Sequence, residues 1–472
     1  MKTLNLLILG TGAVLLGQTA HAQPLQHTLL AESRLIDDCL ICGRPSIAVP
    51  MRGTFTLVPD QITPVFTRYR LENIAWVGGS GTNVQYDIRG SGTYTVGGEF
   101  AVTKRMVLNV TVNGSALVFT NDGLPSLRGF PDYVIDTSLS QTQQNLFTFY
   151  SMDLLATPLR EVWFSTPRAL PRAGPGDLLS TTGQTVKSNR DLVGRLGFMP
   201  VVPHMGIDAV EIAPGGGEVW FSLNERQFSE SLGQINDGDI VASTGRIVRR
   251  YFTLIAPFFQ PPPPTVPPDP GLDALHVFGD DGTIVFSVRS NFFSTALGRD
   301  VRHGDLLTDR GQIFKSNAQL LERFQPVVAK DYGLDAVYIW PSGEIWFSTA
   351  EGFSDQARGA IREGDILSDA GYIALRNEDL TRKFGGDNQQ DYGADGLFVV
   401  TDLSVARRPR IAVLQRWLRL VWEGDGRVFQ LEKATNLTGP FLPITQIIPD
   451  REWTDSLREN SPASGFYRVR QW

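Results

Sequence analysis

A chain of 472 residues is too long for one ordinary domain and fits two to four of them. Its 43 basic residues against 50 acidic ones give a net charge of -7, which argues against nucleic acid and anionic membrane surfaces as partners. The 47 glycines and 29 prolines, with 42% hydrophobic residues, favour many short strands joined by tight turns.

Residues 1–22 have the three-part order of a secretory signal peptide. Lys2 gives a positive start, Leu4 to Gly17 is an apolar run, and Ala20-His21-Ala22 places small residues where a signal peptidase cleaves. We therefore expect a secreted or periplasmic protein. We expect no membrane span, because the best later candidate, Ile411 to Trp422, is short and interrupted by two arginines.

Residues 34–157 form the first predicted domain, which is all-β. Segments such as Tyr69 to Val77 and Met106 to Val112 alternate apolar and polar residues, and glycine-rich turns separate them. This spacing predicts a β-sandwich or a small barrel. Cys39 and Cys42 have neither the further ligands of a zinc site nor the βαβ context of a redox motif. Export predicts a local disulfide between them, with free thiols or a redox or metal role as the alternatives.

Residues 158–402 carry four copies of a unit of about 60 residues. Each unit has a Phe-Ser strand, followed by a Gly-Asp-aliphatic strand and a last strand after another glycine. The Phe-Ser strands are Trp163-Phe164-Ser165, Trp220-Phe221-Ser222, Val285-Phe286-Ser287 and Trp346-Phe347-Ser348. With a Gly-x-Asp strand in front, each unit has about four short strands, which is the content of a propeller blade. The pattern predicts a four-bladed β-propeller.

The order of the strands predicts that the propeller closes into a ring. The first unit lacks the opening Gly-x-Asp strand, and the chain after the fourth unit supplies a spare one at residues 394–400. Pairing of Ala394 to Val400 with the sheet containing Val162 to Ser165 would leave no unpaired inner edge. The alternatives are an open array of sheets or a larger ring with degenerate blades.

Two aspartates recur once in every unit. One follows a glycine at a strand start, and the other stands two residues after a glycine. The first set is Asp177, Asp239, Asp305 and Asp365, and the second is Asp208, Asp273, Asp335 and Asp395. Repetition at the same turn predicts a structural role in which the carboxylate accepts backbone N–H bonds. We expect no cofactor, and the alternative is that a ring of carboxylates around a central channel holds calcium.

Side chains that could carry catalysis are few. His276 and His303 stand in strand and turn contexts that favour structural roles, and no nucleophile or metal motif surrounds them. The tryptophans of the Phe-Ser strands could present sugar-stacking faces, but we expect them in the core. Glu161, Glu218 and Glu344, each two residues before such a tryptophan, fit a surface-facing alternation.

Residues 410–472 form a third module. A Trp strand, an apolar-Gln-Leu-Glu strand, a Trp-Thr-Asp step and a Phe-Tyr-Arg-Val strand follow one another between Arg419 and Val469. This ordering resembles the fibronectin type III family, which implies a β-sandwich used for protein binding, spacing or display. The whole arrangement resembles secreted bacterial proteins that join β-propeller-like repeats to such a tail, and this likeness implies no substrate.

The sequence as a whole favours an exported, non-catalytic binding or scaffold protein of the periplasm or cell exterior. Its expected partner is an unknown extracellular protein or glycan. The alternative is a propeller-type hydrolase or lyase acting on extracellular polysaccharide, whose acidic residues would be confined to one channel rather than repeated in every unit. A purely structural envelope component is a third hypothesis.

Overall fold

The computed structural model describes residues 24–39, 41–79, 85–99, 102–121, 124–125, 134–143, 147–200, 205–262, 265–279, 281–401, 410–414, 419–438, 440–454 and 466–472. The predicted signal peptide, residues 1–22, lies outside the described residues. The described chain is mostly β-strand with four short α-helices, which confirms the all-β class. None of the helices in these ranges has the length and apolar character needed to cross a membrane.

Ten strands build the N-terminal sheet. They are β1 (Leu25–Leu29), β2 (Arg34–Asp38), β3 (Ile47–Ile62), β4 (Phe66–Gly78), β5 (Tyr86–Gly97), β6 (Thr103–Val112), β7 (Ser115–Thr120), β8 (Leu124–Pro125), β9 (Ile135–Gln141) and β10 (Phe149–Ser165). Antiparallel neighbours follow the order β1-β3-β4-β5-β6-β7-β9-β10, and β10 pairs again with β1. Alternate residues point into one core around Phe55, Trp76 and Phe119, as the period of two requires.

Strand β10 joins this sheet to the repeats without a break. Its first part, up to Pro158, pairs with β1, β2 and β9, and its second part, Leu159 to Ser165, belongs to the first repeat unit. The domain boundary drawn from the sequence at residues 157–158 therefore falls inside a strand, and β1 lies before the boundary drawn at residue 34.

Each repeat unit forms four antiparallel strands. The strands are β11 (Leu178–Ser180), β12 (Thr185–Lys187), β13 (Ile207–Ile212), β14 (Val219–Leu223), β15 (Gln227–Ser229), β16 (Gly233–Ile235), β17 (Ile240–Ala242), β18 (Arg246–Arg249), β19 (Leu275–Val277), β20 (Ile284–Phe286), β21 (Phe292–Ser294), β22 (Arg299–Val301), β23 (Leu306–Thr308), β24 (Gln312–Lys315), β25 (Val337–Ile339), β26 (Ile345–Phe347), β27 (Phe353–Asp355), β28 (Gly359–Ile361), β29 (Ile366–Ser368), β30 (Tyr372–Leu375) and β31 (Gly396–Thr401). The pairing orders are β31-β10-β11-β12, β13-β14-β17-β18, β19-β20-β23-β24 and β25-β26-β29-β30. Hairpins β15-β16, β21-β22 and β27-β28 are inserted in the last three units.

A short helix follows the outer strand of every unit, which the sequence analysis did not predict. The helices are α1 (Asn189–Val193), α2 (Tyr251–Ile255), α3 (Asn317–Leu320) and α4 (Asn377–Thr381), and single 3-10 turns at Ala256–Phe258 and Arg382–Phe384 extend α2 and α4. Ser188 and Ser316 begin α1 and α3 through capping boxes with Asp191 and Gln319.

The first strand of each unit, which we call the inner strand, lies at the centre of the repeats. Among the inner strands, β31 lies against β13 and β25, β13 lies against β19, and β19 lies against β25, so the four form a closed circle. Strand β31 also pairs with β10, where Gly396 is opposite Ser165 and Val400 is opposite Glu161. This is the pairing that the order of the repeats predicts between the end of the repeat region and its first sheet.

The C-terminal module has two three-stranded antiparallel sheets, β32-β33-β36 and β35-β34-β37. Its strands are β32 (Arg410–Leu414), β33 (Arg419–Glu423), β34 (Phe429–Ala434), β35 (Leu442–Pro443), β36 (Glu452–Thr454) and β37 (Phe466–Gln471). Leu420 and Trp422 of the first sheet pack with Phe429, Leu431 and Val469 of the second in one buried core.

The two cysteines are paired. The sulfur atoms of Cys39 and Cys42, just after β2, are at bonding distance, and the Cα atoms are 5.5 Å apart. The local disulfide expected from the sequence is therefore present.

Candidate functional site

The aspartates at the start of the third strands hold each helix against its own sheet. In the fourth unit, Asp365 accepts hydrogen bonds from Arg362 N at 3.1 Å and from Asn377 N, at the start of α4, at 2.9 Å. The same pair of backbone bonds recurs at Asp177, Asp239 and Asp305. These contacts use both carboxylate oxygens, as the structural role expected for this set requires.

A third repeated aspartate set was missed in the sequence analysis. Asp391 accepts hydrogen bonds from Gly364 N and Gly393 N, both at 3.1 Å, and so links the third strand of the unit to the next inner strand. Asp269 and Asp331 make the equivalent bonds. Each stands two residues before the glycine of a Gly-x-Asp motif, a spacing visible in the sequence.

The remaining aspartates, Asp208, Asp273, Asp335 and Asp395, lie at the starts of the four inner strands, and we call them the carboxylate ring. Arg289 of the third unit forms ion pairs with Asp208 and Asp273, with Nε 3.3 Å from Asp273 Oδ1. Burial, reinforced by neighbouring acidic groups, raises the pKa of Asp335 to about 7 and that of Asp273 and Asp395 well above the usual value. In the part of the chain that the structure describes, no group of three or more His, Cys, Asp or Glu residues is arranged to hold a metal ion.

A second set of equivalent positions follows along the same inner strands and differs in every unit. These residues are Glu211, His276, Tyr338 and Phe398, which we call the axial layer. Each is paired with the residue before the Phe-Ser step of the neighbouring strand: Trp220, Val285, Trp346 and Trp163, respectively. Four different side chains at one repeated position mark a place where the units are specialised rather than merely stacked.

Contacts within the axial layer run from one unit to the next. Glu211 Oε2 lies 3.2 Å from His276 Nδ1, the His276 and Tyr338 rings are 5.4 Å apart, and the Tyr338 and Phe398 rings are 6.1 Å apart. Arg427 of the C-terminal module completes the circle. Its guanidinium lies 5.2 Å from the Phe398 ring, and Nη2 is 2.7 Å from Glu211 Oε1.

Glu211 is a buried carboxylate that remains charged. Burial raises its pKa, but the Arg427 charge and the hydrogen bond from His276 outweigh that effect, so the pKa of Glu211 lies below its usual value. Val277 N also donates to Oε2 at 2.8 Å. A carboxylate held ionised by these partners is a poor general acid at neutral pH.

The C-terminal module places Arg427 by docking on the second repeat unit. Gly217 N donates to Pro449 O at 2.8 Å, and Arg451 Nε donates to Gly215 O at 2.7 Å. Val428, next to Arg427, belongs to the buried core of the repeats. The module therefore contributes residues to the site.

A cavity of about 290 Å³ opens beyond the axial layer, between the ends of three inner strands and the C-terminal module. Its lining is His276, Val277, Phe278, Gly279, Tyr338, Ile339, Trp340, Pro341, Phe398, Val399, Val400, Thr401, Arg427, Val428 and Trp472. Three buried donors of this lining, Trp340 Nε1, Thr401 Oγ1 and Arg427 Nε, have no hydrogen-bond partner among the described residues. Buried donors are normally satisfied, so their presence in a cavity wall points to a ligand or bound water that accepts from them.

The tryptophans of the Phe-Ser strands are mainly structural, as expected. Trp163 and Trp346 are fully buried and Trp220 is partly buried. The indole Nε1 of Trp163 donates to Glu161 at 2.8 Å, that of Trp220 to Glu218 at 2.9 Å, and that of Trp346 to Glu344 at 2.9 Å.

The prediction of a surface-facing glutamate is wrong for Glu344. Its side chain is fully buried and also accepts hydrogen bonds from Ser368 Oγ, at 2.6 Å, and from Tyr372 Oη. The reason is tertiary: the N-terminal sheet covers this part of the fourth unit, where Tyr372 interacts with Thr54.

The two histidines differ in their surroundings. His303 lies 3.5 Å from Asp331 and is partly exposed, in agreement with a structural position. His276 was also expected to be structural, but the structure places it in the axial layer and in the cavity wall. Comparing the residue three positions after each Asp of the Gly-x-Asp motif would have revealed the Glu, His, Tyr, Phe series. No family model matches the chain, and no curated protein matches it at a significant level.

Proposed function

We propose that the protein is an exported, non-catalytic binding protein and that its cavity holds a neutral sugar unit of an extracellular glycan. In this proposal the repeats are the blades of a four-bladed β-propeller, and the C-terminal module is a fibronectin type III-like sandwich that completes the site. The three unpartnered donors at Trp340, Thr401 and Arg427 carry the proposal, because a sugar offers many acceptor oxygens in a small volume.

The remaining lining favours a neutral ring. Tyr338, Trp340, Phe398 and Trp472 provide aromatic surface against which the C–H face of a sugar can pack. Arg427 balances the Glu211 charge, so this ion pair does not favour a strongly charged ligand in the cavity. A volume of about 290 Å³ is at the lower end of the range for small-molecule sites, which suits one sugar unit.

Export is supported by the N-terminal sequence pattern and by the Cys39–Cys42 disulfide, a bond that persists in oxidising compartments. A partner outside the cytoplasm is therefore proposed, and an extracellular protein is the alternative to a glycan.

A hydrolase or lyase acting on polysaccharide is the second candidate, favoured by the Glu211–His276 contact beside Tyr338. Two features weigh against it. Glycoside hydrolysis normally needs two carboxyl groups flanking one bond, and the described part of the cavity lining contains none. Burial also raises the pKa of Tyr338, against the opposing effect of the Arg427 charge, which makes that residue a poor base at neutral pH.

The test is thermal-shift screening and calorimetry of the full chain with neutral oligosaccharides of glucose, galactose, mannose and N-acetylglucosamine. We expect at least one to stabilise the protein. Trp340→Phe keeps an aromatic ring but removes the indole donor, so it should weaken that binding about fivefold, the loss of roughly one hydrogen bond.

Trp422→Phe is the matched control. Trp422 Nε1 is also buried without a partner among the described residues, but Trp422 does not line the cavity, so its substitution should leave the affinity unchanged. Equal loss in both variants would reject the cavity as the binding site. Release of reducing ends or unsaturated sugars from a polysaccharide would reject the non-catalytic function.

A further inference from the structure

The carboxylate ring lies at the opposite end of the inner strands from the cavity, and its charge balance is asymmetric. Each unit has an equivalent residue that packs on the glycine of its Gly-x-Asp motif. These residues are Pro167, Asn224, Arg289 and Ala350. Only the third unit therefore supplies a cation at this position, against one carboxylate from every unit.

Arg289 serves one half of the ring. Its guanidinium contacts Asp208 and Asp273, and Nη1 also donates to Asn224 O at 2.6 Å. Asp237, outside the ring, lies 3.8 Å from the same Nη1. Within the described residues, all the direct contacts of this guanidinium are with the second and third units.

The other half of the ring has no directly bound counterion among the described residues. Among the described residues, neither the Asp335 nor the Asp395 carboxylate receives a hydrogen bond or an ion pair, although Asp395 is only 8% exposed. Leaving a buried carboxylate unpaired is costly, and the cost is relieved by a proton or a bound cation.

The nearby charges do not supply that cation. Arg168 and Arg289 are both close enough to lower the pKa of these carboxylates, but neither contacts them directly. The contacts of Arg168 are with Glu363, at 2.8 Å, and with Asp391 O, at 2.7 Å, and Arg289 pairs with Asp208 and Asp273. Glu363 adds negative charge near Asp335.

We propose that Asp335 and Asp395 bind a cationic nitrogen group of a ligand, a guanidinium or primary ammonium, as Asp208 and Asp273 bind Arg289. The argument rests on the repetition of the fold. The four inner strands form a circle, so their aspartates make two equivalent neighbouring pairs. The pair Asp208 and Asp273 already holds the Arg289 guanidinium, and the pair Asp335 and Asp395 does not. Planar guanidinium groups match carboxylates through directed N–H bonds, and ammonium groups do so as point charges.

This site is separate from the cavity and does not depend on the sugar proposal. Titration calorimetry of the full chain with methylguanidinium at pH 8 is the direct test. We expect saturable binding of one equivalent, weakened about tenfold or more in Asp335→Asn and in Asp395→Asn. The exposed Asp379→Asn is the control and should bind as the unmodified protein does.

Arg289→Ala gives a second readout. Removal of the Arg289 guanidinium frees the Asp208–Asp273 pair, so the variant should bind two equivalents of methylguanidinium instead of one. Methylguanidinium should also restore the thermal stability that the variant loses. A tripeptide containing arginine and the diamine putrescine then distinguish a protein side chain from a small free amine as the source of the cation.

Two results would overturn the proposal. One is the absence of saturable binding at millimolar methylguanidinium while Asp335→Asn stabilises the protein at pH 8, which would mean that the carboxylates only exchange protons. The other is tight binding of calcium that methylguanidinium does not displace.

Discussion

Ser348 Oγ donates a hydrogen bond to Ala394 O at 2.7 Å, which joins the fourth unit to the inner strand that completes the first. The same bond joins the second unit to the third, from Ser222 to Leu272 O at 3.0 Å, and the third to the fourth, from Ser287 to Leu334 O at 3.2 Å. In the first unit, Ser165 Oγ is buried with no partner in the described part of the chain. The serine of the Phe-Ser strand is thus a unit-to-unit link in three of the four units, and Ser348 provides the link from the fourth unit to the first.

Removal of this closing bond should destabilise the repeats. Ser348→Ala leaves Ala394 O with one partner fewer, so we expect a loss of about 1 kcal/mol in the free energy of unfolding, as for Ser287→Ala. Chemical denaturation measures the loss, and hydrogen exchange should rise in β31 and in the part of β10 that pairs with it. Ser165→Ala removes no bond and is the control; a loss there as large as in Ser348→Ala would contradict the role of the bond.

The Gly-Asp aspartates should be stability determinants and not ligands. Asp365→Asn keeps the side-chain shape but loses the ion pair with Arg376, 2.9 Å away, and weakens one of the two backbone contacts. We expect a loss of about 1.5 to 3 kcal/mol and increased hydrogen exchange in α4. Asp379→Asn, an exposed change in the same helix, should cost less than about 0.5 kcal/mol. Unchanged unfolding of Asp365→Asn would refute the structural role.

The repeat and its strand order could be predicted because short local sequence motifs mark them. Phe-Ser strands, Gly-Asp turns and the spare strand at residues 394–400 recur at fixed spacing, and an unpaired strand next to an incomplete sheet leaves few ways to pair. The helices were missed because each has only four or five residues, shorter than the pattern that reveals a helix.

The candidate site could not be predicted in the same way. His276, Tyr338 and Phe398 look like ordinary strand residues, and their contacts arise only when four strands distant in sequence meet at one axis. Arg427 is farther still, because it comes from another module and reaches Glu211 only after docking. The burial of Glu344 could not be predicted for the same reason, since the N-terminal sheet that covers it is remote in sequence.

The carboxylate ring should make stability fall as the pH rises. Burial raises the pKa of Asp335 from an ordinary value near 3.8 to about 7, so the folded protein binds more protons than the unfolded chain between these values. The contribution of Asp335 to the free energy of unfolding is therefore greatest below about pH 4, and it is lost progressively as the pH rises to about 7. The same sign applies to Asp273 and Asp395, whose pKa values burial also raises.

Asp335→Asn isolates this effect. The neutral amide should leave stability at pH 4 nearly unchanged and increase it by about 1 to 4 kcal/mol at pH 8, because no charge is then buried. Thermal unfolding of the variant and the unmodified protein in low salt, at pH 4 and at pH 8, measures this difference in stability. Arg289 and Arg168 oppose the effect from neighbouring units, so a variant that is equally destabilised at both pH values would show that they neutralise Asp335.

The ion pair between Arg427 and Glu211 should be the most sensitive contact between the C-terminal module and the repeats. Arg427→Met leaves Glu211, whose side chain is 2% exposed, without its main cation, and we expect a loss of about 3 to 5 kcal/mol at pH 8. Glu211→Gln in the same chain should recover most of that loss, because the stranded charge is then gone. In the unmodified protein the lowered pKa of Glu211 adds stability above its ordinary value near 4.5, and this is lost on acidification. In Arg427→Met the sign should reverse, so stability should improve as the pH falls.

Arg419→Met provides the comparison within the same module, since Arg419 and Glu452 form an exposed pair that should contribute no more than about 1 kcal/mol. Denaturant unfolding of the single and double variants gives the coupling energy between Arg427 and Glu211 directly. A coupling as small as that of the exposed pair, or an Arg427→Met loss that Glu211→Gln does not recover, would mean that Arg427 acts through packing on Phe398 rather than through the buried charge.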